Sequence, residues 1–152
     1  MVEEAMLSKI LFVCTGNTCR SPMAEVIAKN FLVSRGLLEV SVRSAGIAAE
    51  SGARASVNAM EVVSSAGFDL SGHKSTMLDE DIVGWAEVII VMEKHHCDWV
   101  TYLGGEDKVV VLSEDILDPF GCDQEVYHQV FSALGILIKD TLECFLQDTH
   151  SS

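Results

Sequence analysis

Cys14 and Arg20 stand six positions apart in the segment ILFVCTGNTCRSP, residues 10–22, with Gly16 and Asn17 between them and Ser21-Pro22 directly after. Gly16 and Asn17 admit tight or left-handed backbone, while Ser21-Pro22 suits the N-cap and first turn of a helix. A loop of this kind converges its backbone N–H groups on a tetrahedral dianion, and a helix dipole and a forked guanidinium add to the positive field. The same field is expected to lower the pKa of a thiol. A thiolate on the floor of an anion cradle is a nucleophile aimed at phosphorus. Phosphoryl transfer asks for positioning and charge stabilisation, which N–H groups and Arg20 can supply in place of Mg²⁺, so no metal or other cofactor is expected.

The elements that must hold this loop follow from hydrophobic period. Ile10–Val13 is apolar on both faces, as a central parallel strand should be. Ala24, Ile27, Ala28, Phe31 and Leu32 recur at helical spacing, between Pro22 and Gly36. Val40 and Val42 alternate with polar neighbours in a second strand, and Ser56–Ala66 reads as a helix closed by Gly67. Asp79–Trp85 reads as a short helical turn, Glu87–Met92 and Lys108–Leu112 as third and fourth buried strands, and Glu93–Leu103 as the helix between them. Gln124–Gln147 reads as a long final helix with Val130, Phe131, Leu134, Leu137, Ile138 and Leu142 inward, although Gly135 weakens it.

Strands alternating with helices predict an α/β fold, a single doubly wound domain over residues 1–152. Its four-stranded parallel sheet, order 2-1-3-4, would carry helices on both faces. Ligands of such sheets bind beyond the carboxyl ends of the strands, which is where Cys14 falls.

Composition narrows the partners. Ten Lys plus Arg against 23 Asp plus Glu give a net charge of -13 over 152 residues, which disfavours nucleic acid and anionic membrane surfaces. No apolar stretch approaches the roughly 18 residues of a membrane span. Met1–Ser8 carries two glutamates and does not read as a secretory leader, so a cytoplasmic location is expected. Five cysteines, at 14, 19, 97, 122 and 144, form neither an even framework nor paired CxxC motifs, which favours reduced thiols over a disulfide scaffold or a structural zinc site. His95 and His96 precede Cys97 on an expected helix, project in different directions and lack a second ligand pair; they are expected at the surface.

The segment CTGNTCRSP followed by MAE resembles the signature of the low-molecular-weight protein tyrosine phosphatase family. RSAG at 43–46, HKS at 73–75 and DPFG at 118–121 stand in that family's order, so the resemblance covers nearly the whole chain. It implies that Cys14 is the nucleophile, that Arg20 clamps the phosphoryl oxygens, and that Asp118 acts first as general acid and then as general base through a phosphocysteine intermediate. It also implies that Thr15, Gly16, Asn17, Thr18 and Cys19 line the phosphate site, that Ser21 hydrogen-bonds the thiolate, and that Ser44 and His73 support the loop with Asn17. Pro119 restricts Asp118 to extended geometry, and Phe120 can wall the substrate.

Within the family, the form CTGNTCRS with DPFG is most similar to the bacterial protein arginine phosphatases, where threonine replaces an aliphatic residue at the position of Thr18. A branched polar side chain narrows the pocket and offers a hydroxyl, which suits a slender guanidinium better than a phenol. The implied partners are phosphorylated proteins or peptides carrying phosphoarginine, with phosphotyrosine as the alternative. Cys19 lies close enough to Cys14 in such a loop to trap an oxidised thiol as a disulfide, so reversible inactivation by peroxide is expected. An arsenate reductase would need a downstream pair of resolving cysteines, which 97, 122 and 144 do not form. Arg20 and Asp118 argue against a phosphocarrier module, and the presence of nucleophile, clamp and acid argues against a binding pseudoenzyme.

Overall fold

The computed structural model describes residues 7–113 and 116–150. Residues 1–6, most of the segment read above as carrying no leader, lie outside the described residues. Four strands, β1 (Lys9–Cys14), β2 (Ser41–Gly46), β3 (Val88–Val91) and β4 (Val109–Val111), form a parallel sheet in the order β2-β1-β3-β4. Among the described residues five helices accompany them: α1 (Arg20–Ser34), α2 (Val57–Ser65), α3 (Glu80–Trp85) and α4 (His96–Tyr102) between strands, and α5 (Gln124–His150) after the last.

The alternation of side chains along β1 creates two cores. Ile10, Phe12 and Cys14 face the side covered by α1, α2 and α5, where Met23, Ala28, Val62, Leu134, Ile138 and Leu142 complete the layer. Leu11 and Val13 face the side of α3 and α4 with Ile82, Val83, Ile89 and Val100. Both faces of the central strands are thereby dry, which is why β3, and β1 after the exposed Lys9, are apolar.

Several details differ from the sequence pattern. β4 was expected to be a buried strand, yet it is the sheet edge, and its three valines are only half-covered, with Val110 36% exposed. β2 begins after Val40, because its register with β1 pairs Lys9 with Ser41 and continues to Cys14 opposite Gly46. α4 starts at His96 rather than Glu93, since Glu93, Lys94 and His95 form a turn beyond β3. α5 runs through Gly135 without interruption because its buried stripe of Val130, Leu134, Ile138 and Leu142 outweighs one glycine.

Candidate active site

Three strand ends build the site. β1 ends at Cys14, whose neighbours in the sheet are the ends of β2 and β3, so the segments after all three converge on one place. Beyond Gly46 the backbone clasps the loop: Ile47 N–H donates to the Cys14 carbonyl at 3.0 Å and Ala48 N–H to that of Thr15 at 2.9 Å. A Cβ on Gly46 would lie 2.6 Å from the Thr15 carbonyl oxygen and 2.9 Å from Asn17 N, so this approach requires a glycine.

Asn17 holds the loop's shape. Its φ of 57° is left-handed, and its side chain is fully buried. Its Oδ1 accepts from Thr76 N–H at 2.8 Å, and its Nδ2 donates to Ser21 Oγ at 2.8 Å and to Ser44 Oγ at 2.9 Å. The Ser44 hydroxyl in turn donates to Glu25 Oε1 at 2.7 Å, and His73 Nε2 donates to the Asn17 carbonyl. Ser44 and His73, expected beside Asn17, are therefore found there; Glu25 stood in the MAE of the signature but was given no role in the sequence reading.

Cys14 Sγ sits 2.9 Å from Ser21 Oγ and 3.3 Å from Asn17 N–H. Because Ser21 accepts from Asn17 Nδ2, its own proton is free to point at sulfur. Ser21 is thus the second residue of α1 rather than its N-cap; that place falls to Cys19, whose side chain makes no capping bond. In the first turn of α1 the Ser21 backbone N–H also hydrogen-bonds the Cys14 sulfur. The expected lowering of the thiol pKa is not found. Burial, the largest influence, pushes the Cys14 thiol up from its ordinary value, and the hydrogen bonds of Ser21, the charge of Arg20 and the Asn17 N–H pull down without overcoming it. Reasoning from the loop's field alone left out the cost of desolvating a thiolate.

Arg20 is 1% exposed, and both its terminal nitrogens are buried without an aligned hydrogen-bond acceptor among the described residues. Its Nη2 makes ion-pair contacts with Glu93 Oε2 at 2.7 Å and with Asp118 Oδ2 at 3.5 Å. A buried guanidinium with unmet donors is a receptor for an anion. Asp118 is 44% exposed on the loop before α5, where its Oδ1 accepts from Phe120 N–H at 3.1 Å. Cys14, Thr15, Gly16, Thr18, Cys19, Arg20, Asp118 and Phe120 together line a cavity of about 170 Å³.

The turn after β3 contributes two residues that the sequence reading missed. His96, expected at the surface, is fully buried; its Nδ1 accepts from Glu93 N–H at 3.0 Å, and its Nε2 faces Thr15 Oγ1 at 3.0 Å. An accepting Nδ1 places the ring proton on Nε2, so the imidazole is neutral and donates to Thr15. Burial, followed by the charges of His95 and Arg20, lowers its pKa to about 4. For Glu93, burial pushes the carboxyl up, but Arg20, with His95 and His96, outweighs it and holds it below its usual value. Glu93, His95 and His96 bring ligand-type atoms within 4.8 Å of one another, yet both His96 nitrogens and Glu93 are already engaged. The position at the carboxyl end of a strand beside β1 was the available signal for this turn.

This arrangement suits attack by sulfur on a tetrahedral anion, the chemistry of the cysteine-dependent phosphatases. Residues 9–149 match the family described as low molecular weight phosphotyrosine protein phosphatase. The chain belongs to that family and is a low molecular weight protein phosphatase. It is 38% identical over 144 residues to a protein-arginine-phosphatase of Geobacillus stearothermophilus, covering 89% of this chain and 94% of that one. Among solved structures, the YwlE arginine phosphatase mutant with a phosphorylated active-site serine superposes with a TM-score of 0.86 at 34% identity, covering 93% of this chain and 98% of that one. The tyrosine phosphatase Wzb of Escherichia coli K30 in complex with sulphate superposes at 0.83 with 27% identity, over 91% and 98%. No helix among the described residues is long and apolar enough to cross a membrane.

Proposed function

We propose that this chain hydrolyses phosphoarginine in proteins, through a phosphocysteine on Cys14. The observation that carries this reading is Thr18, part-exposed on the wall of the same small cavity that holds Asp118. A hydroxyl and a carboxylate there suit a guanidinium, which carries charge and N–H donors, whereas a phenol offers neither. The likeness to proteins named arginine phosphatases supports it.

In the first step the thiol proton passes to a phosphoryl oxygen of the substrate, Cys14 Sγ attacks phosphorus in line, and the P–N bond to the guanidino group breaks. Asp118 supplies a proton to the departing nitrogen. Arg20 and the loop N–H groups of residues 15–20 take up the charge on the phosphoryl oxygens. The Ser21 hydroxyl, 2.9 Å away, steadies the sulfur while it is anionic and again when it leaves. In the second step the Asp118 carboxylate removes a proton from water, whose oxygen attacks the phosphocysteine and frees inorganic phosphate. The protein is expected to work in the cytoplasm.

A tyrosine phosphatase is the second reading. It is favoured by Phe120, which is 74% exposed at the cavity rim and could stack on a phenol ring. Matched peptides bearing phosphoarginine, phosphotyrosine and phosphoserine separate the two. The proposal expects the highest kcat/KM on phosphoarginine and a shift toward phosphotyrosine in Thr18→Ile. A wild-type preference for phosphotyrosine would overturn it.

A further inference from the structure

Behind the cavity wall, Cys19 joins a second polar cluster whose other members, Tyr127 and Ser56, do not line the cavity. Cys19 Sγ lies 3.1 Å from the Tyr127 hydroxyl, which lies 3.2 Å from Ser56 Oγ, and Cys19 Sγ and Ser56 Oγ are 3.6 Å apart. The directions close a ring. Ser56 donates to the Tyr127 oxygen and the Cys19 thiol donates to Ser56, which leaves the phenolic proton to point at sulfur. Within the ring each of the three groups donates once and accepts once, and Ser56 Oγ takes a further bond from Ala59 N–H. Tyr127 is 2% exposed and Cys19 4% exposed, so the bond between them is made away from water, where an unmet partner is costly; the two bonds to Ser56 are part-buried.

Two links tie this ring to the residue that faces substrate. Ser56 N–H donates to the Thr18 carbonyl at 2.9 Å, and Thr18 Oγ1 approaches Cys19 Sγ at 3.7 Å. Ser56 itself is fixed as the N-cap of α2, accepting from Ala59 N–H at 3.2 Å. Tyr127 belongs to the first turn of α5, with its N–H on the Asp123 carbonyl. The peptide plane and hydroxyl of Thr18 are therefore set by α2 and α5.

We propose that Tyr127 is a positioning residue for Thr18 and thereby helps determine which phosphorylated group the cavity accepts. This rests on the reading that Thr18 selects the substrate. Tyr127 touches neither phosphate nor nucleophile; it acts through Cys19 and Ser56. Burial, with the Cys19 hydrogen bond next, pushes its phenol up to about 12, so it remains a donor throughout the working pH range.

The test is a double-mutant cycle between positions 127 and 18, read as the ratio of kcat/KM on matched phosphoarginine and phosphotyrosine peptides. Tyr127→Phe is expected to lower that ratio about fivefold in the wild-type background and to leave it unchanged in Thr18→Ile, while inhibition by inorganic phosphate moves less than twofold. An equal loss on both substrates, or the same change in ratio with isoleucine at 18, would overturn the proposal. Should Tyr127→Phe be too unstable to assay, Ser56→Ala removes the other partner of the phenol while keeping the N–H bond to the Thr18 carbonyl, and is expected to give the same coupling. A wild type that prefers phosphotyrosine would refute the phosphoarginine assignment and still leave the coupling to be read, so the two failures are distinct.

Discussion

Arg20 Nη2 lies 2.7 Å from Glu93 Oε2, which fixes the guanidinium from the β3–α4 turn and leaves it aimed at the cavity. Glu93 is 35% exposed and Arg20 1%, so the carboxylate keeps contact with water while the cation it orients does not. Such a pair does more for geometry than for stability. Glu93→Gln is expected to lower kcat about tenfold while the inhibition constant for inorganic phosphate changes less than threefold. Comparable losses in both would mean that Glu93 only stabilises the fold.

The carboxyl group of Asp118 sits 3.5 Å from the same nitrogen at the mouth of the cavity. As proton donor it should matter most where the leaving group is a poor one. Asp118→Ala is expected to slow turnover by about 10² to 10³ on substrates with basic leaving groups and far less on an aryl phosphate with an acidic phenol. Uniform slowing across a leaving-group series would remove Asp118 from the acid role.

The neutral imidazole of His96 makes a pH prediction with a definite sign. In the folded chain it stays unprotonated down to about pH 4, whereas an unfolded histidine titrates near 6.5. Between those values the unfolded state binds a proton that the folded state refuses, so stability falls as pH drops from 6.5 toward 4. The lowered Glu93 carboxyl acts in the same sense below its ordinary value of 4.5. His96→Gln keeps a donor for Thr15 and cannot take the proton. Urea midpoints measured from pH 7 to pH 4 should therefore decline less steeply in that variant; parallel declines would contradict the assignment.

These residues mark where the sequence was legible and where it was not. Cys14, Arg20 and Asn17 announce themselves, because a glycine-rich turn between an apolar strand and a helix has few uses, and Ser44, His73 and Asp118 came with the family's motifs. Glu93, His96 and Tyr127 are invisible to period and motif alike. Each is engaged by a partner distant in the chain: Glu93 pairs with Arg20 on α1, His96 is buried against Thr15, 81 positions away, and Tyr127 against Cys19, 108 positions away. Adjacent histidines on a presumed helix look solvated until the turn before that helix is seen to fold under the loop. The thiol's raised pKa escaped for a related reason, since positive groups nearby can be inferred from a motif and the depth of burial cannot.

Two glycines, one closing the RSAG motif and one inside α5, should respond to alanine with opposite signs. At Gly135, within α5, an added Cβ meets no atom within 4 Å. The methyl there reduces the freedom of the unfolded chain without strain, so Gly135→Ala should raise stability by about 0.5 to 1 kcal/mol and leave kcat/KM unchanged. At Gly46 the same methyl would meet the Thr15 carbonyl at 2.6 Å and the Gly16 carbonyl carbon at 3.0 Å, backbone atoms that cannot rotate away. Relief would require the loop after Cys14 to move from β2, breaking the bonds to the Cys14 and Thr15 carbonyls that set the cradle. Gly46→Ala is expected to lower kcat/KM at least tenfold and to weaken inhibition by inorganic phosphate in parallel. Unaltered phosphate inhibition in that variant would show that the cradle does not depend on the close approach of β2.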